Sequence, residues 1–396
     1  MLILIFVLSA DHQLINNIML IPILLFLFSC STKADESYGW DTSVEKTDKE
    51  SFIVENFIDG FEIPWGMCFL PNEDLLVSDR NGTLWQIKKD GKSKKKISGV
   101  PKVKYKGQGG LLDVQIHPNF IDNNLVYICF SDFLLENKNK SFTSIVRAEL
   151  KNNKLVNVQT VYKADDKFYT KSNVHYGSRL AFDNNNYLYF SIGDRGNRNQ
   201  AQLLTTPNGK IHRLNDDGSI PEDNPFLKIP DAQKSIWTYG NRNPQGLVID
   251  KKTSIIFSAE HGPRGGDELN IIEKGKNYGW PEITYGINYI GTKITKYTHK
   301  EGMEQPITHW TPSIAVCGID FYDSNIFTNW HNNLFVTSLK FENLYRLEIE
   351  SGKVIEQELI FSTGSRVRDV ETGPDGFIYV AIEDPGRIIR LKPIKN

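Results

Sequence analysis

His175 and Asp194 stand near the two ends of a segment that reads HYGSRLAFDNNNYLYFSIGDRG over residues 175–196. Two short apolar runs flank its turn of Asp and Asn residues, a pattern that predicts a β-hairpin. A hairpin can bring its entry and its exit together, so we expect His175 to meet Asp194. A histidine beside a carboxylate is the usual general base near neutral pH. The alternative is structural, with His175 in a turn and Asp194 capping a loop.

Four cationic residues occupy comparable places beside predicted strands. Arg242 lies in the loop YGNRNPQGL, Lys340 follows Ser338 and Leu339, and Arg366 and Arg368 flank Val367. On an extended segment, alternate residues point to the same side. Each residue alone is typical of a protein surface, but together they predict a cationic pocket for a polyanionic ligand.

Two glycine-rich segments carry polar residues. Residues 261–270 read HGPRGGDELN, and NYGWP follows at 277–281. Acidic side chains and free carbonyls in such a loop suit a hard cation such as calcium, although a solvated loop is the alternative. The run GQGGLL, which contains Gln108, is not a dinucleotide fingerprint because its final glycine and the strand–helix context are missing.

One pattern of strand, turn and strand recurs from residue 51 onward. The six copies occupy residues 66–78, 113–131, 179–192, 246–262, 318–349 and 369–392. Six such units predict an all-β, six-bladed β-propeller with four-stranded antiparallel blades over residues 51–396, rather than a β-sandwich or several small β domains. A strand at 51–54 is expected to close the ring. Loops of all blades then converge at one mouth of the channel.

Composition restricts the partners of the chain. It has 396 residues and a formal net charge of -2, which gives no electrostatic basis for binding nucleic acid. None of its four cysteines forms a CxxC pair, which argues against a zinc knuckle or a dithiol redox site. Cys68, Cys129 and Cys317 lie in apolar strand-like runs and are predicted to be buried, unpaired thiols.

The remaining cysteine, Cys30, follows an apolar run at 18–28 that fits the core of a signal peptide. The sequence Leu27-Phe28-Ser29-Cys30 is similar to a bacterial lipobox. We therefore expect a signal peptide over 1–29, a flexible tether over 30–50 and an exported periplasmic or cell-envelope lipoprotein whose only membrane contact is a lipid on Cys30. Simple secretion is the alternative, since Phe28 is bulky for a lipobox and no Lys or Arg precedes Lys33.

Six segments, in chain order, resemble the soluble PQQ-dependent sugar dehydrogenases, and within them the aldose sugar dehydrogenases. They are HYGSRLAFD, SIGDRG, YGNRNPQGL, EHGPRGGDELNIIEKGKNYGWP, TSLK and RVRDV. The resemblance runs from about residue 55 to residue 392, and it too implies a six-bladed propeller. The implied cofactor is pyrroloquinoline quinone (PQQ), a planar ortho-quinone with three carboxylates.

The same resemblance assigns site residues. It implies cofactor contacts by Gln108, Arg242, Asn243, Tyr289, Lys340, Arg366 and Arg368. A calcium ion is implied at the carbonyls of Gly262 and Pro263, and a second, structural calcium at Glu268 and the Tyr278 carbonyl. The implied catalytic residues are His175, Asp194 and Arg242.

The implied reaction is the oxidation of an aldose at C1 to its lactone. His175 takes the proton of the C1 hydroxyl, Asp194 orients His175, the hydride passes to the quinone, and calcium acts as a Lewis acid. Some members of the family carry Asp immediately before this histidine, whereas here the residue is Val174. Because the sequence has no CxxCH haem motif, electrons must pass to an external acceptor. A monomer or a homodimer is expected.

Two other functions compete with this interpretation. A calcium-dependent lactonase on a six-bladed propeller holds its ion with several carboxylates and asparagines, whereas the predicted mouth here is mostly cationic. A binding propeller without catalysis, for a carbohydrate or another ligand, is the second alternative. The sequence does not identify the sugar, and we expect specificity to lie in loops such as 132–142 and 286–305.

Overall fold

The structure, a computed structural model, describes residues 44–394. Its strands form six antiparallel sheets, which we number as blades 1–6 in chain order. The chain enters through β1 (Val44–Lys46) and β2 (Ser51–Phe61), which belong to blade 6. Blades 1 and 2 then contain β3 (Pro64–Phe69), β4 (Leu75–Asp79), β5 (Thr83–Ile87), β6 (Lys94–Ile97), β7 (Leu111–Ile116), β8 (Leu125–Phe133), β9 (Ser141–Lys151) and β10 (Lys154–Tyr162).

The remaining blades follow the same order of strands. Blade 3 contains β11 (Leu180–Phe182), β12 (Leu188–Ile192), β13 (Lys210–Leu214) and β14 (Ile236–Tyr239), and blade 4 contains β15 (Pro244–Ile249), β16 (Ile256–Glu260), β17 (Asp267–Ile272) and β18 (Thr308–Trp310). Blade 5 contains β19 (Val316–Phe321), β20 (Leu334–Ser338), β21 (Asn343–Glu350) and β22 (Lys353–Ser362). Blade 6 adds β23 (Val367–Thr372), β24 (Ile378–Ile382) and β25 (Gly386–Pro393).

Helical structure is limited to short pieces in the described part of the chain. These are α1 (Phe120–Asn123) and three 3-10 turns at Asp166–Phe168, Arg198–Gln202 and Thr328–Trp330. No helix among residues 44–394 has the length and apolarity needed to cross a bilayer.

The six-bladed propeller predicted from the repeats is confirmed, as is its closure by an N-terminal strand. β2 pairs with β25, with Val54 opposite Leu391, so the last blade combines both ends of the described chain. β1 adds a fifth strand to this blade, with Val44 opposite Ile53. β1 lies inside the segment 30–50 that the sequence predicts to be a tether, so the folded part begins before residue 51.

Apolar side chains fill the space between adjacent blades. Between blades 5 and 6, for example, Trp330 is fully buried and its ring lies 5.5 Å from that of Phe52. Cys68, Cys129 and Cys317 are buried and unpaired, as predicted. The prediction for Cys30 concerns a residue outside the described part of the chain.

The innermost strands of the blades are β3, β7, β11, β15, β19 and β23, and each contacts its neighbours around a central channel. Because these strands run in the same direction, the loops that enter them meet at one mouth. Residues that are distant in sequence are thereby brought to one place, and they form the site described next.

Candidate active site

A cavity of about 1120 Å³ opens at this mouth. Six Arg and Lys side chains line it, and no carboxylate among the described residues does. The residues predicted from the sequence that line it are Gln108, His175, Arg242, Asn243, Gly262, Pro263, Tyr289, Lys340, Arg366 and Arg368. The cationic pocket predicted from isolated Arg and Lys residues is therefore present.

His175 and Asp194 meet as the hairpin predicts. The Nδ1 atom of His175 lies 2.6 Å from Oδ1 of Asp194. The close approach depends on Gly193, because a Cβ at this position would lie 2.4 Å from the His175 carbonyl oxygen. Since an ionised carboxylate can only accept, Nδ1 carries the proton, and Nε2 is the free acceptor on the neutral ring.

Two further donors hold Asp194 in place. The indole Nε1 of Trp280 donates a hydrogen bond of 2.8 Å to Oδ2, and the backbone N–H of Gly196 donates one of 2.7 Å to Oδ1. Asp194 is only 2 % exposed, so its orientation is set by protein groups. These bonds hold Asp194 so that it orients His175, even though residue 174 is Val and not an additional Asp.

The local environment favours the neutral imidazole. Burial lowers the pKa of His175, the Asp194 hydrogen bond acts in the opposite direction, and the Arg242 charge adds to the lowering. Burial alone would raise the pKa of Asp194, but its hydrogen bond with His175 keeps that pKa below the ordinary value. At neutral pH the pair therefore combines a neutral histidine with an ionised aspartate.

The backbone at His175 is also constrained. Its φ of 53° lies in the left-handed region, which is uncommon for a residue other than glycine. The side-chain Oε1 of Gln108 accepts a hydrogen bond of 2.6 Å from the His175 N–H. Gln108, which lies before the first strand of blade 2, therefore fixes the backbone of His175 and also contributes to the cavity wall.

Arg242 lies between β14 and β15 and joins the cavity to the loop after β16. Its Nη1 donates to the carbonyl oxygens of His261 at 3.0 Å and Gly262 at 2.8 Å. Its Nε is buried and has no hydrogen-bond partner among the described residues. An unpaired, buried guanidinium nitrogen in a cavity wall fits an anionic ligand.

Gly262 occupies a crowded turn of backbone carbonyls. A Cβ there would lie 2.3 Å from the Gly265 carbonyl oxygen and 2.2 Å from that of Gly266. Gly262 and Pro263 both line the cavity. Backbone carbonyls at this position are of the type that calcium uses.

Arg366 and Arg368 share one carboxylate, in agreement with the predicted common orientation. Their Nε atoms donate to Glu383 over 2.7 Å and 2.8 Å, respectively. Arg368 also reaches Oε1 of Gln245 at 3.1 Å. Glu383 thus holds two cations at the start of β23, where both line the cavity.

Tyr289 and Lys340 lie at the edge of the cavity. The tyrosine is 72 % exposed and the lysine is also exposed. Tyr289 belongs to the loop 286–305, in which specificity is expected, and two other residues of that loop, Ile287 and Gly291, also line the cavity.

Glu268 and Tyr278 do not reach the main cavity. They line a separate space of about 10 Å³ together with Glu260, which is paired with Glu268 across β16 and β17. Burial raises the pKa of both carboxyl groups, and their mutual repulsion adds to this for Glu268. Two adjacent, buried carboxyl groups fit a bound cation, which would favour their ionised forms. No group of three or more His, Cys, Asp or Glu side chains suited to a metal occurs among residues 44–394.

Two of the carboxylates deeper in the channel are paired with an arginine. Arg179 Nη1 contacts Asp113 at 3.1 Å and Asp369 at 3.0 Å. These aspartates therefore do not form the open carboxylate site that the lactonase alternative requires.

Trp280 and Glu383 are positioning residues to which the sequence analysis gave no role. Trp280 lies in the NYGWP segment, but a tryptophan at this position does not by itself predict a hydrogen bond to Asp194, which is distant in sequence. Glu383 follows β24. The only sequence feature that could have identified it is an acidic residue at the same mouth as Arg366 and Arg368. Gln245 and His261, which are hydrogen-bonded to each other at 2.9 Å, were also missed as cavity residues.

Comparison with known proteins agrees with this geometry. Residues 61–390 match the family model described as glucose/sorbosone dehydrogenase. An aldose sugar dehydrogenase of Escherichia coli (strain K12) is 40% identical over 349 residues, covering 86% of this chain and 92% of the relative.

Two solved structures are also similar. The apo form of the soluble aldose sugar dehydrogenase of Escherichia coli superposes with a TM-score of 0.82 at 39% identity, covering 86% of this chain and 99% of that one. The PQQ-bound aldose sugar dehydrogenase of Streptomyces coelicolor has a TM-score of 0.72 at 26% identity, covering 86% and 98% of the two chains.

Proposed function

This chain belongs to the glucose/sorbosone dehydrogenase family, and we propose that it oxidises an aldose at C1 to the lactone with PQQ as its cofactor. The 2.6 Å hydrogen bond between His175 and Asp194, at the wall of a cationic cavity, is the observation that supports this most directly. The relatives named above are sugar dehydrogenases, and one of them was solved with PQQ bound.

The cavity fits the cofactor in size and charge. A volume of about 1120 Å³ accommodates a planar tricyclic ring together with a sugar. We assign the three carboxylates to Arg242, Lys340, Arg366 and Arg368, and the remaining cofactor contacts to Gln108, Asn243 and Tyr289. The unpartnered Nε of Arg242 supports this assignment, because a carboxylate would satisfy it.

His175 acts as the general base in this proposal. Its free Nε2 accepts the proton of the C1 hydroxyl, and the Asp194 carboxylate stabilises the imidazolium that forms. When bound, PQQ would accept the hydride, and a calcium ion at the carbonyls of Gly262 and Pro263 would polarise the accepting group. Arg242 adds a fixed positive charge beside His175, which lowers the pKa of the imidazole and so keeps it neutral and able to accept the proton of the sugar.

We assign a second, structural calcium to Glu268, the Tyr278 carbonyl and the neighbouring Glu260. The pairing of two buried carboxylates supports this assignment. Because Glu268 and Tyr278 do not line the main cavity, this ion would act on stability and not on the reaction itself.

Reconstitution of the purified protein tests the proposed function. PQQ and calcium are added together or separately, and reduction of phenazine methosulfate is followed with a panel of aldoses. We expect activity only when both are present, with the lactone as product. Tight PQQ binding without oxidation of any sugar would reject the substrate class, and absence of PQQ binding would reject the cofactor.

We further propose that the protein is exported and carries a lipid on Cys30, on the basis of the lipobox-like sequence alone. Mass spectrometry of the mature N-terminus tests this. A mature chain that begins at any other residue would contradict lipidation at Cys30.

A further inference from the structure

The rim of the active-site cavity combines exposed aromatic side chains with cations. Tyr105, Tyr289 and Phe341 are 42 %, 72 % and 41 % exposed, respectively, and Ile290, which follows Tyr289 in the chain, is 85 % exposed. Soluble proteins rarely concentrate large apolar side chains in one exposed place unless something binds there. The cavity beneath them is where, under the proposed function, electrons leave the enzyme.

The cations of the rim come from several blades. Arg80 lies with its guanidinium 5.5 Å from the ring centre of Tyr105, and the Lys340 ammonium lies 5.2 Å from that of Phe341. Arg264 also lines the cavity and is exposed. Neither Arg80 nor Arg264 forms an ion pair within residues 44–394, although the Arg80 charge acts on the nearby Glu62 carboxylate, to which Tyr105 donates a hydrogen bond.

One segment extends this charge outward from the cavity. Residues 102–106 read KVKYK and lead directly to Gln108, whose side chain bonds to the backbone of His175. Lys102 and Lys106 are exposed and make no ion pair or side-chain hydrogen bond in the described part of the chain. The whole chain carries a formal net charge of -2, so a cationic rim is a local feature and not the result of a basic protein.

We propose that this rim is the docking surface for an acidic electron-carrier protein. The inference rests on the proposed function, because oxidation of one aldose to its lactone releases two electrons and two protons. Two one-electron carriers would take the electrons in successive encounters, and the protons would pass to solvent. Exposed aromatic side chains interspersed with cations suit a partner that binds briefly and is attracted by charge.

The rim has a narrower explanation, in which its cations only attract the anionic cofactor. The two explanations of the rim predict effects on different molecules. Lysines that steer a carrier control each turnover, whereas lysines that steer PQQ control only its loading.

The test uses the enzyme loaded with PQQ and calcium, and it compares an acidic with a basic cytochrome of similar size as one-electron acceptors. We expect kcat/KM for the acidic cytochrome to exceed that for the basic one. The kcat/KM for the acidic cytochrome should fall at least about tenfold between about 20 mM and about 200 mM salt. The reaction with phenazine methosulfate should change by less than about twofold over the same range, since a small acceptor needs no docking surface.

Charge reversal locates the surface. The double variant Lys102→Glu/Lys106→Glu should lower kcat/KM for the acidic cytochrome about tenfold and leave dye reduction and PQQ affinity unchanged. The matched control is Lys92→Glu/Lys353→Glu, which makes the same charge change in turns on the opposite face and should alter none of these.

Three results would overturn the inference. These are no preference for the acidic cytochrome, an equal loss in the control variant, or a loss of PQQ affinity that accounts for the slower rate. Binding of the wild type, but not of the rim variant, to vesicles of anionic phospholipid, with no effect on cytochrome reduction, would assign the rim to a membrane instead. Failure of dye reduction in the wild type would reject the proposed function itself.

Discussion

The indole N–H of Trp280 donates a 2.8 Å hydrogen bond to the oxygen of Asp194 that does not face His175. Trp280 also lies beneath Arg242, whose guanidinium carbon is 5.3 Å from a ring centre of the indole. One buried side chain therefore contacts both the carboxylate that orients His175 and an arginine of the cavity.

Substitution of Trp280 by Phe should weaken the reaction by loosening Asp194. The change leaves a buried carboxylate oxygen without its donor, a loss of about 1.5–3 kcal/mol for a bond to a charged group. We expect kcat to fall about 10- to 100-fold with a smaller change in KM, together with a shift in the pH profile. Trp237→Phe is the matched control, since the Nε1 of this buried tryptophan has no partner among the described residues. Equal losses in both variants would indicate a packing effect only.

The sequence predicts the hairpin contact but not the tryptophan that supports it. His175 and Asp194 flank one hairpin, so local alternation of apolar residues is enough to bring them together. Trp280 is 86 residues from Asp194, and its position depends on how the loop after blade 4's third strand packs against blade 3. Such a contact between blades has no periodic signal.

The difference between local contacts, which the sequence predicts, and distant contacts, which it does not, also applies to the paired arginines and to strand β1. Arg366 and Arg368 were predicted to point the same way from their spacing, whereas Glu383, which fixes both, lies on the far side of the intervening strand β24. The strand β1 was predicted as part of a tether, because its short polar sequence VEK gains stability from pairing with β2 and not from its own propensity.

His175→Ala should abolish most of the turnover while the cofactor still binds. A positioned general base contributes about 10²- to 10⁴-fold, so we expect kcat/KM to fall within that range. PQQ affinity, measured by fluorescence titration, should change by less than about threefold, because the cations that we assign to the cofactor are untouched. Wild-type turnover in this variant would remove His175 as the base.

The pH profile of kcat/KM should have its acidic limb below the ordinary pKa of histidine. The base is active when neutral, so activity rises as pH increases through the pKa of His175, which burial lowers. Asp194→Asn removes a group that raises this pKa, so the limb should move to still lower pH while the plateau rate falls. Initial rates between about pH 4 and about pH 8 measure both effects. A limb that moves upward in Asp194→Asn would contradict this assignment.

Arg368→Ala should weaken PQQ binding more than Arg366→Ala. Both arginines bond to Glu383, but the Arg368 side chain is 5% exposed and that of Arg366 is 47% exposed. A charge-assisted hydrogen bond is stronger where water is excluded, so we expect affinity to fall about 10- to 100-fold for Arg368→Ala and less than about tenfold for Arg366→Ala. Isothermal titration with PQQ provides the measurement. The reverse order would show that the exposed arginine, and not the buried one, holds the cofactor.

Glu268→Gln should separate calcium binding at the small cavity from catalysis. In the presence of a chelator the variant should be at least as stable as the wild type, because burial and the neighbouring Glu260 already disfavour the ionised Glu268. With calcium at about 100 times its Kd for this site, the ion bound there should add about 2.7 kcal/mol to the free energy of unfolding of the wild type, and the variant should lack this increment while it keeps any gain from the calcium assigned to Gly262 and Pro263. Urea unfolding with and without calcium measures this difference, with the exposed Glu301→Gln as the control. The same calcium-dependent gain in Glu268→Gln would place the stabilising ion elsewhere in the protein.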